Sequence, residues 1–155
     1  ATRIPLIVRL PGQRHGRTTD ALFSSVDFLP TLLGLCGLPP AETAEGVDYT
    51  PLVRAQAAAP TREHLIMQLE NWSCIRAGDA KLTLDPEGTT AREFYRLDQD
   101  PFEQNNLAAD PDQRAAVDEL TRAYAAWLQD ARTRVGDVAQ AATRSPALDD
   151  GPAWE

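Results

Sequence analysis

Thiol and imidazole side chains are few in this sequence, so their spacing is weighed first. The chain carries two cysteines and two histidines. Cys36 and Cys74 sit in apolar runs without Cys-x-x-Cys or Cys/His ligand spacing, which reads as two buried free thiols. His15 lies in Gln13-Arg14-His15-Gly16-Arg17, where guanidinium forks suit an oxyanion such as sulfate or carboxylate, or simply line a solvated loop. His64, beside Glu63 at the start of an apolar run, reads as a strand-edge histidine, and no Ser/His/Asp order supports a triad. Lys81 is the sole lysine, so any lysine chemistry passes through it. Asp98, Asp100 and Glu103 crowd together like a cation loop but lack the glycine and the remaining oxygens of a calcium site, which favours turn capping. Asn71 and Trp72 fall between two strand-like runs, where Trp72 either packs or projects toward a pocket. The candidates for a substrate-pocket rim are therefore Arg14, His15, Asn71 and Trp72, and no residue is assigned as catalytic or as a metal ligand.

The elements that must position these residues fall into two groups. Ile4 to Leu10, closed by Pro11-Gly12, reads as a strand buried on both faces. Ser24-Ser25-Val26-Asp27 has capping-box spacing and opens a helix over 25–36, whose apolar face is wide enough to predict a largely buried helix ended by Gly37 and Pro39-Pro40. Pro30 fits only if it stands in that helix's first turn. Small residues from Ala55 to Pro60 mark a boundary near 60. Beyond it, Leu65 to Leu69, Cys74 to Arg76, Lys81 to Leu84 and Phe94 to Leu97 read as about four short antiparallel strands, with a tight turn at Gly78-Asp79. Asp110-Pro111 starts an amphipathic helix over 111–132, with Val117, Leu120, Tyr124, Trp127 and Leu128 on the face that covers the sheet. From Val135 the periodicity fades, which predicts a flexible tail over 135–155.

A formal charge of −8 over 155 residues argues against a phosphate-backbone binder, so nucleic acid is not an expected partner. No apolar run approaches the roughly 18 to 20 residues that span a bilayer, and the first residues lack a signal peptide's charged start and apolar core. A soluble chain with no membrane partner is expected.

Five segments together resemble one family in one order. Arg3 to Gly12 is similar to the pattern Arg-Val-Pro-Leu-Ile-x-Arg-x-Pro-Gly, and Ser25 to Leu38 to Val-Asp-x-x-Pro-Thr-Leu-Leu-x-Leu-Ala-Gly. Gly46 to Val53 resembles Gly-x-Ser/Asp-x-x-Pro-Leu-Leu, and Ile75 to Leu82 an Arg-x-Gly-x-x-Lys-Leu hairpin. Phe94 to Leu107 resembles Leu/Phe-Tyr-x-Leu-x-x-Asp-Pro-x-Glu-x-x-Asn-Leu, the C-terminal signature of sulfatases in the alkaline phosphatase superfamily, arylsulfatases and choline sulfatases among them. The resemblance implies an α/β fold, α+β in its C-terminal part. Residues 1–60 would be the end of the large α/β domain, and residues 61–134 a small antiparallel sheet packed by a C-terminal helix.

The resemblance also implies a parent that hydrolyses sulfate esters, using a formylglycine made from Cys or Ser in Cys/Ser-x-Pro-x-Arg and a divalent cation, usually calcium, held by Asp and Asn. Neither Cys36-Gly37-Leu38-Pro39-Pro40 nor Cys74-Ile75-Arg76 fits that motif. The chain alone is therefore expected to bind no cofactor and to be inactive, as a C-terminal fragment whose partner is the missing N-terminal sulfatase portion. Two alternatives stay open. One is a non-catalytic module that complements a separate sulfatase half or self-associates through the Ile4 to Leu10 strand, whose uncovered edge would be an association hazard. The other is a fragment of a phosphonate monoester or phosphodiester hydrolase of the same superfamily. A cytoplasmic or periplasmic parent fits equally.

Overall fold

The structure, a computed structural model, describes residues 4–42, 44–56, 60–69 and 72–144, with side chains to Arg134. The chain divides into two compact units, Ala1–Leu65 and Ile66–Glu155, so the boundary falls a few residues after the small-residue linker.

In the first unit a 3-10 turn, Ser25–Asp27, leads into α1, Phe28–Cys36, and a short α2 spans Thr50–Val53. Pro30 stands in the first turn of α1, where its missing amide has no intrahelical partner to lose. Gly37 closes α1 in the left-handed conformation, and the Leu38 amide donates to the Leu33 carbonyl at 2.9 Å. A polar clamp ties these pieces together. The fully buried Asp27 carboxylate accepts the amides of Ser24 (2.7 Å) and Val47 (2.8 Å) and pairs with the Arg62 guanidinium. Thr31 Oγ1 accepts the Tyr49 amide at 3.0 Å, Thr50 Oγ1 donates to the Thr31 carbonyl at 3.1 Å, and the Tyr49 hydroxyl donates to the Leu22 carbonyl at 2.6 Å. Phe23 packs edge-on to Phe28 and tilted against Tyr49.

Three expectations for this unit need correction. Ile4 to Leu10 is not a strand: no described segment pairs with it, and Ile4 and Ile7 stand 83% and 91% exposed. A strand exists only where a neighbour supplies the ladder, whatever the residues' preference. The α1 helix is not largely buried either, because Phe28, Leu29 and Leu32 face solvent while only the opposite side meets the polar clamp. Cys36, at the end of that helix, is exposed; Cys74 alone is the buried free thiol.

In the second unit β1 (Leu65–Leu69, starting at the boundary), β2 (Trp72–Ala77), β3 (Ala80–Leu84) and β4 (Ala91–Arg96) form one four-stranded sheet in sequence order. The β2–β3 and β3–β4 pairs are antiparallel, with Ile75 opposite Leu82 and Leu82 opposite Phe94. The β2–β3 turn uses Gly78 at φ +52°, a left-handed conformation that glycine adopts without steric cost. A second 3-10 turn, Pro111–Gln113, is capped by Asp110, whose Oδ1 accepts the Asp112 amide at 2.9 Å, and it opens α3, Arg114–Arg144. Val117, Leu120 and Tyr124 of α3 close a core with Ile75, Leu82, Leu84 and Phe94. Burying side chains of this size contributes about 1.5–3 kcal/mol each relative to exposure. Gly88, in the β3–β4 connection, lies so close to the Tyr124 ring that a Cβ there would collide with it.

The α3 helix continues through Arg144, past the point where a flexible tail was expected to begin. Its last turns include Ala139, Gln140, Ala141, Ala142 and Arg144, residue types whose intrinsic preference favours a helix. Residues 145–155 of the expected tail lie outside the described residues.

Candidate functional site

Strand register sorts the sheet into an apolar face toward α3 and a polar one away from it. Cys74, Thr83 and Glu93 align in one row of the polar face, and Arg76, Lys81 and Tyr95 in the next. By alternation Trp72, half-buried at the start of β2, belongs to the same face. This face holds most of the second unit's chemistry-bearing side chains, and it is largely closed to water at Cys74, Thr83, Lys81 and Tyr95.

Its electrostatics favour holding over reacting. Burial pushes the Cys74 thiol up to about 11; the Lys81 ammonium opposes that shift and the Glu103 carboxylate adds to it. At neutral pH Cys74 is therefore a protonated thiol, not a nucleophilic thiolate. Burial, reinforced by Glu93, Glu103 and Asp100, likewise raises the Tyr95 phenol above its ordinary value. Lys81 Nζ lies 2.5 Å from Glu103 Oε2, so its charge is matched by a carboxylate from the loop after β4. On the other face, the buried Tyr124 hydroxyl meets Ser73 Oγ at 2.9 Å.

The acidic loop itself is occupied with its own backbone. Asp100 Oδ2 accepts the amides of Gln104 and Asn105, both at 2.8 Å. Asn106 Oδ1 accepts from Phe94 N (3.1 Å) and Ala108 N (2.9 Å) while its Nδ2 donates to the Arg92 carbonyl at 2.9 Å. The Leu107 amide then continues along β4 with a bond to the Phe94 carbonyl at 2.9 Å. Asp and Asn here act as turn caps. Among the described residues no group of three His, Cys, Asp or Glu side chains is arranged to hold a metal ion, and neither cysteine stands in a formylglycine motif. The residues present thus do not fit the cation and modified cysteine that the family resemblance implies, and no catalytic step is drawn through either.

The expected rim residues are placed as follows. Arg14 and His15 are exposed in the first unit, just past a turn in which Gln13 Oε1 accepts the Leu10 amide at 3.1 Å. Trp72 belongs to the second unit, and Asn71 lies outside the described residues. An open groove of about 560 Å³ runs between Glu87–Thr89 and α3, with Leu128 and Arg132 on its wall, and none of the rim candidates lines it. The two long-range ion pairs among the described residues, Asp27–Arg62 and Lys81–Glu103, escaped the sequence. Their partners lie 35 and 22 residues apart, and neither Arg62 nor Glu103 carries a local signal of its mate.

Comparison with known proteins agrees with this arrangement. The model of the family described as N-sulphoglucosamine sulphohydrolase, C-terminal, matches residues 1–130. An ulvan-active sulfatase of Formosa agariphila is 28% identical over 76% of this chain and 25% of its own length. An N-acetylgalactosamine-6-O-sulfatase of Bacteroides thetaiotaomicron is 31% identical over 69% of this chain and 24% of its own. The solved structure of a 2-O GAG sulfatase is 26% identical, with a TM-score of 0.58, over 74% of this chain and 26% of that one. The chain thus spans about a quarter of the length of the relatives it matches. The match of the family model across residues 1–130 decides the family: the chain belongs to the sulfatase family, as a C-terminal portion of the N-sulphoglucosamine sulphohydrolase type.

Proposed function

We propose that this chain is the C-terminal portion of a sulfatase that hydrolyses sulfate esters carried on sugars. The observation that carries the proposal is the family match across residues 1–130, in a chain whose cysteines fit no formylglycine motif. The nucleophile and cation then belong to the remaining three quarters or so of a sulfatase, and the 155 residues turn over no sulfate ester by themselves. Their contribution is scaffold and rim. Taken singly and as residue types, Arg14 and His15 offer donors for an anionic group, and Asn71 and Trp72 an amide and an aromatic face that suit a sugar ring. The names of an N-acetylgalactosamine-6-O-sulfatase and of an N-sulphoglucosamine sulphohydrolase family favour an amino-sugar sulfate over a simple aryl sulfate.

The test compares the isolated chain with a full-length sulfatase whose corresponding C-terminal portion has been replaced by it. Both receive p-nitrophenyl sulfate, an N-acetylhexosamine 6-sulfate and a phosphonate monoester. Hydrolysis of the sulfated sugar by the full-length protein alone is the expected outcome. Turnover by the isolated chain, or of the phosphonate monoester in preference to both sulfates, would refute the proposal.

A further inference from the structure

The strand order leaves β1 at one edge of the sheet and β4 at the other, and the chain treats the two edges differently. Along β4 it closes the edge itself. Asn106 Oδ1 accepts the Phe94 amide at 3.1 Å, its Nδ2 donates to the Arg92 carbonyl at 2.9 Å, and the Leu107 amide donates to the Phe94 carbonyl at 2.9 Å. These bonds stand where those of a fifth strand would, so β4 is shut to another chain. Along β1 no described segment does the same. An open edge is a template for an added strand, and the usual guards against one are a proline or a charge on the edge strand. Leu65-Ile66-Met67-Gln68-Leu69 has neither.

The side chains of β1 select the strand that fits. Ile66 packs against the core beneath α3, so by alternation Leu65, Met67 and Leu69 belong to the other face of the sheet. Leu69, 67% exposed, ends a row that has no neighbour on its outer side. A second copy supplies that neighbour when it runs antiparallel about Met67. Leu69 then meets Leu65 of the other copy, Met67 meets Met67, and one apolar row continues across the two-fold axis. The residues that flank β1 in sequence extend the match. His64 precedes the strand and Glu70 follows it, so the same count sets a histidine against a glutamate at both ends of the pair. A shift of one residue would turn each apolar row against the wrong face, which fixes the register.

We propose that the β1 edge is a self-association surface, on which two copies of this chain pair β1 to β1, antiparallel about Met67, into one continuous sheet. This does not rest on the sulfatase reading above. The test is analytical ultracentrifugation of the chain over a concentration series, beside its Leu69→Lys and Leu65→Glu variants. The wild-type chain is expected to form a concentration-dependent dimer, and each substitution to weaken it at least tenfold by setting a charge against a leucine. Mixing the two variants in equal amounts should restore the dimer, because the introduced ammonium and carboxylate then stand opposite each other. Leu69 faces solvent in the chain alone, so circular dichroism melting of Leu69→Lys should match wild type; that variant carries the test even where Leu65→Glu fails to fold. A chain that stays monomeric at every concentration overturns the proposal, as does a dimer undiminished by Leu69→Lys. So does a dimer that Ile7→Lys or Leu32→Lys dissociates while Leu69→Lys does not, since it would use the exposed apolar side chains of the first unit. Two folded variants that do not rescue each other overturn the pairing about Met67.

Discussion

Removing the Glu103 charge should destabilise the second unit more than removing the Lys81 charge, although the two side chains form one pair. Lys81 is only 9% exposed at its side chain, on the polar face of the sheet, whereas Glu103 is 34% exposed on the loop. In Glu103→Gln the ammonium keeps its desolvation but loses its counter-charge. For a fully buried pair that costs about 3–5 kcal/mol, and partial exposure of the carboxylate side, where solvent screens, reduces it to about 2 kcal/mol. Lys81→Met keeps volume and apolar contact while the freed carboxylate turns to water, so the loss should stay below about 1 kcal/mol. Glu103 also sits at φ +56°, a conformation that is strained for a residue with a Cβ, so the pair helps to hold the loop against local strain. The assay is urea unfolding followed by fluorescence, since Trp72 and Trp127 lie in this unit. With a slope of about 1–3 kcal/mol/M, the Glu103→Gln midpoint should fall by roughly 1 M and that of Lys81→Met by half as much or less. The double variant should resemble Lys81→Met, because the stranded charge has gone. Equal losses in the two single variants, or additivity in the double, would refute the argument from a stranded buried ammonium.

Three further outcomes follow from the same structure. Tyr124→Phe leaves the buried Ser73 hydroxyl without its partner and should cost about 1–2 kcal/mol in the same unfolding assay, with Ser73→Ala in the Tyr124→Phe background restoring part of it. Exposed Cys36 should react with a thiol reagent within minutes at pH 8, while Cys74, raised to about 11 by burial, reacts only on unfolding; two fast thiols would contradict the burial of β2. Burial works against ionisation of Asp85, but bonds from Thr89 and Thr90 outweigh it and bring the carboxyl down to about 2. Because the folded value lies below the ordinary one, its stabilisation is complete above about pH 4 and is lost as pH falls through about 2. Asp85→Asn should therefore flatten the acid limb of the melting profile in that window.

How much of this was legible depended on whether a residue's structural partner is near in sequence. Lys81 to Leu84 alternates, Gly78-Asp79 supplies the turn, and Val117, Leu120 and Tyr124 recur at helical spacing, so the sheet and its helix could be read directly. The capping role of Asp100 was equally readable, because an Asp side chain reaches amides a few residues on. Ile4 to Leu10 misled for the opposite reason. Its composition records a preference for the interior of a sheet, whereas the conformation depends on neighbours that no described residue provides. The α1 stripe misled in the same way, and with it the burial of Cys36. The site candidates Arg14, His15 and Trp72 are legible only as residue types suited to an anion or a sugar, since a rim is defined by the pocket that it borders.

The two units are held by different forces, and the difference bears on how a sulfatase would use them. The second unit closes its own apolar core, so the sheet face carrying Lys81, Tyr95 and Trp72 has a fixed backing. The first unit depends on a charged and hydrogen-bonded clamp centred on Asp27, and a buried carboxylate is stable only while all its donors stay in place. A clamp of this kind specifies geometry strongly and adds little net stability. It keeps α1 and the Val47–Thr50 segment in register. Loss of the Asp27 charge, as in Asp27→Asn, should thus disturb the first unit well before the second, because the second keeps its own apolar core.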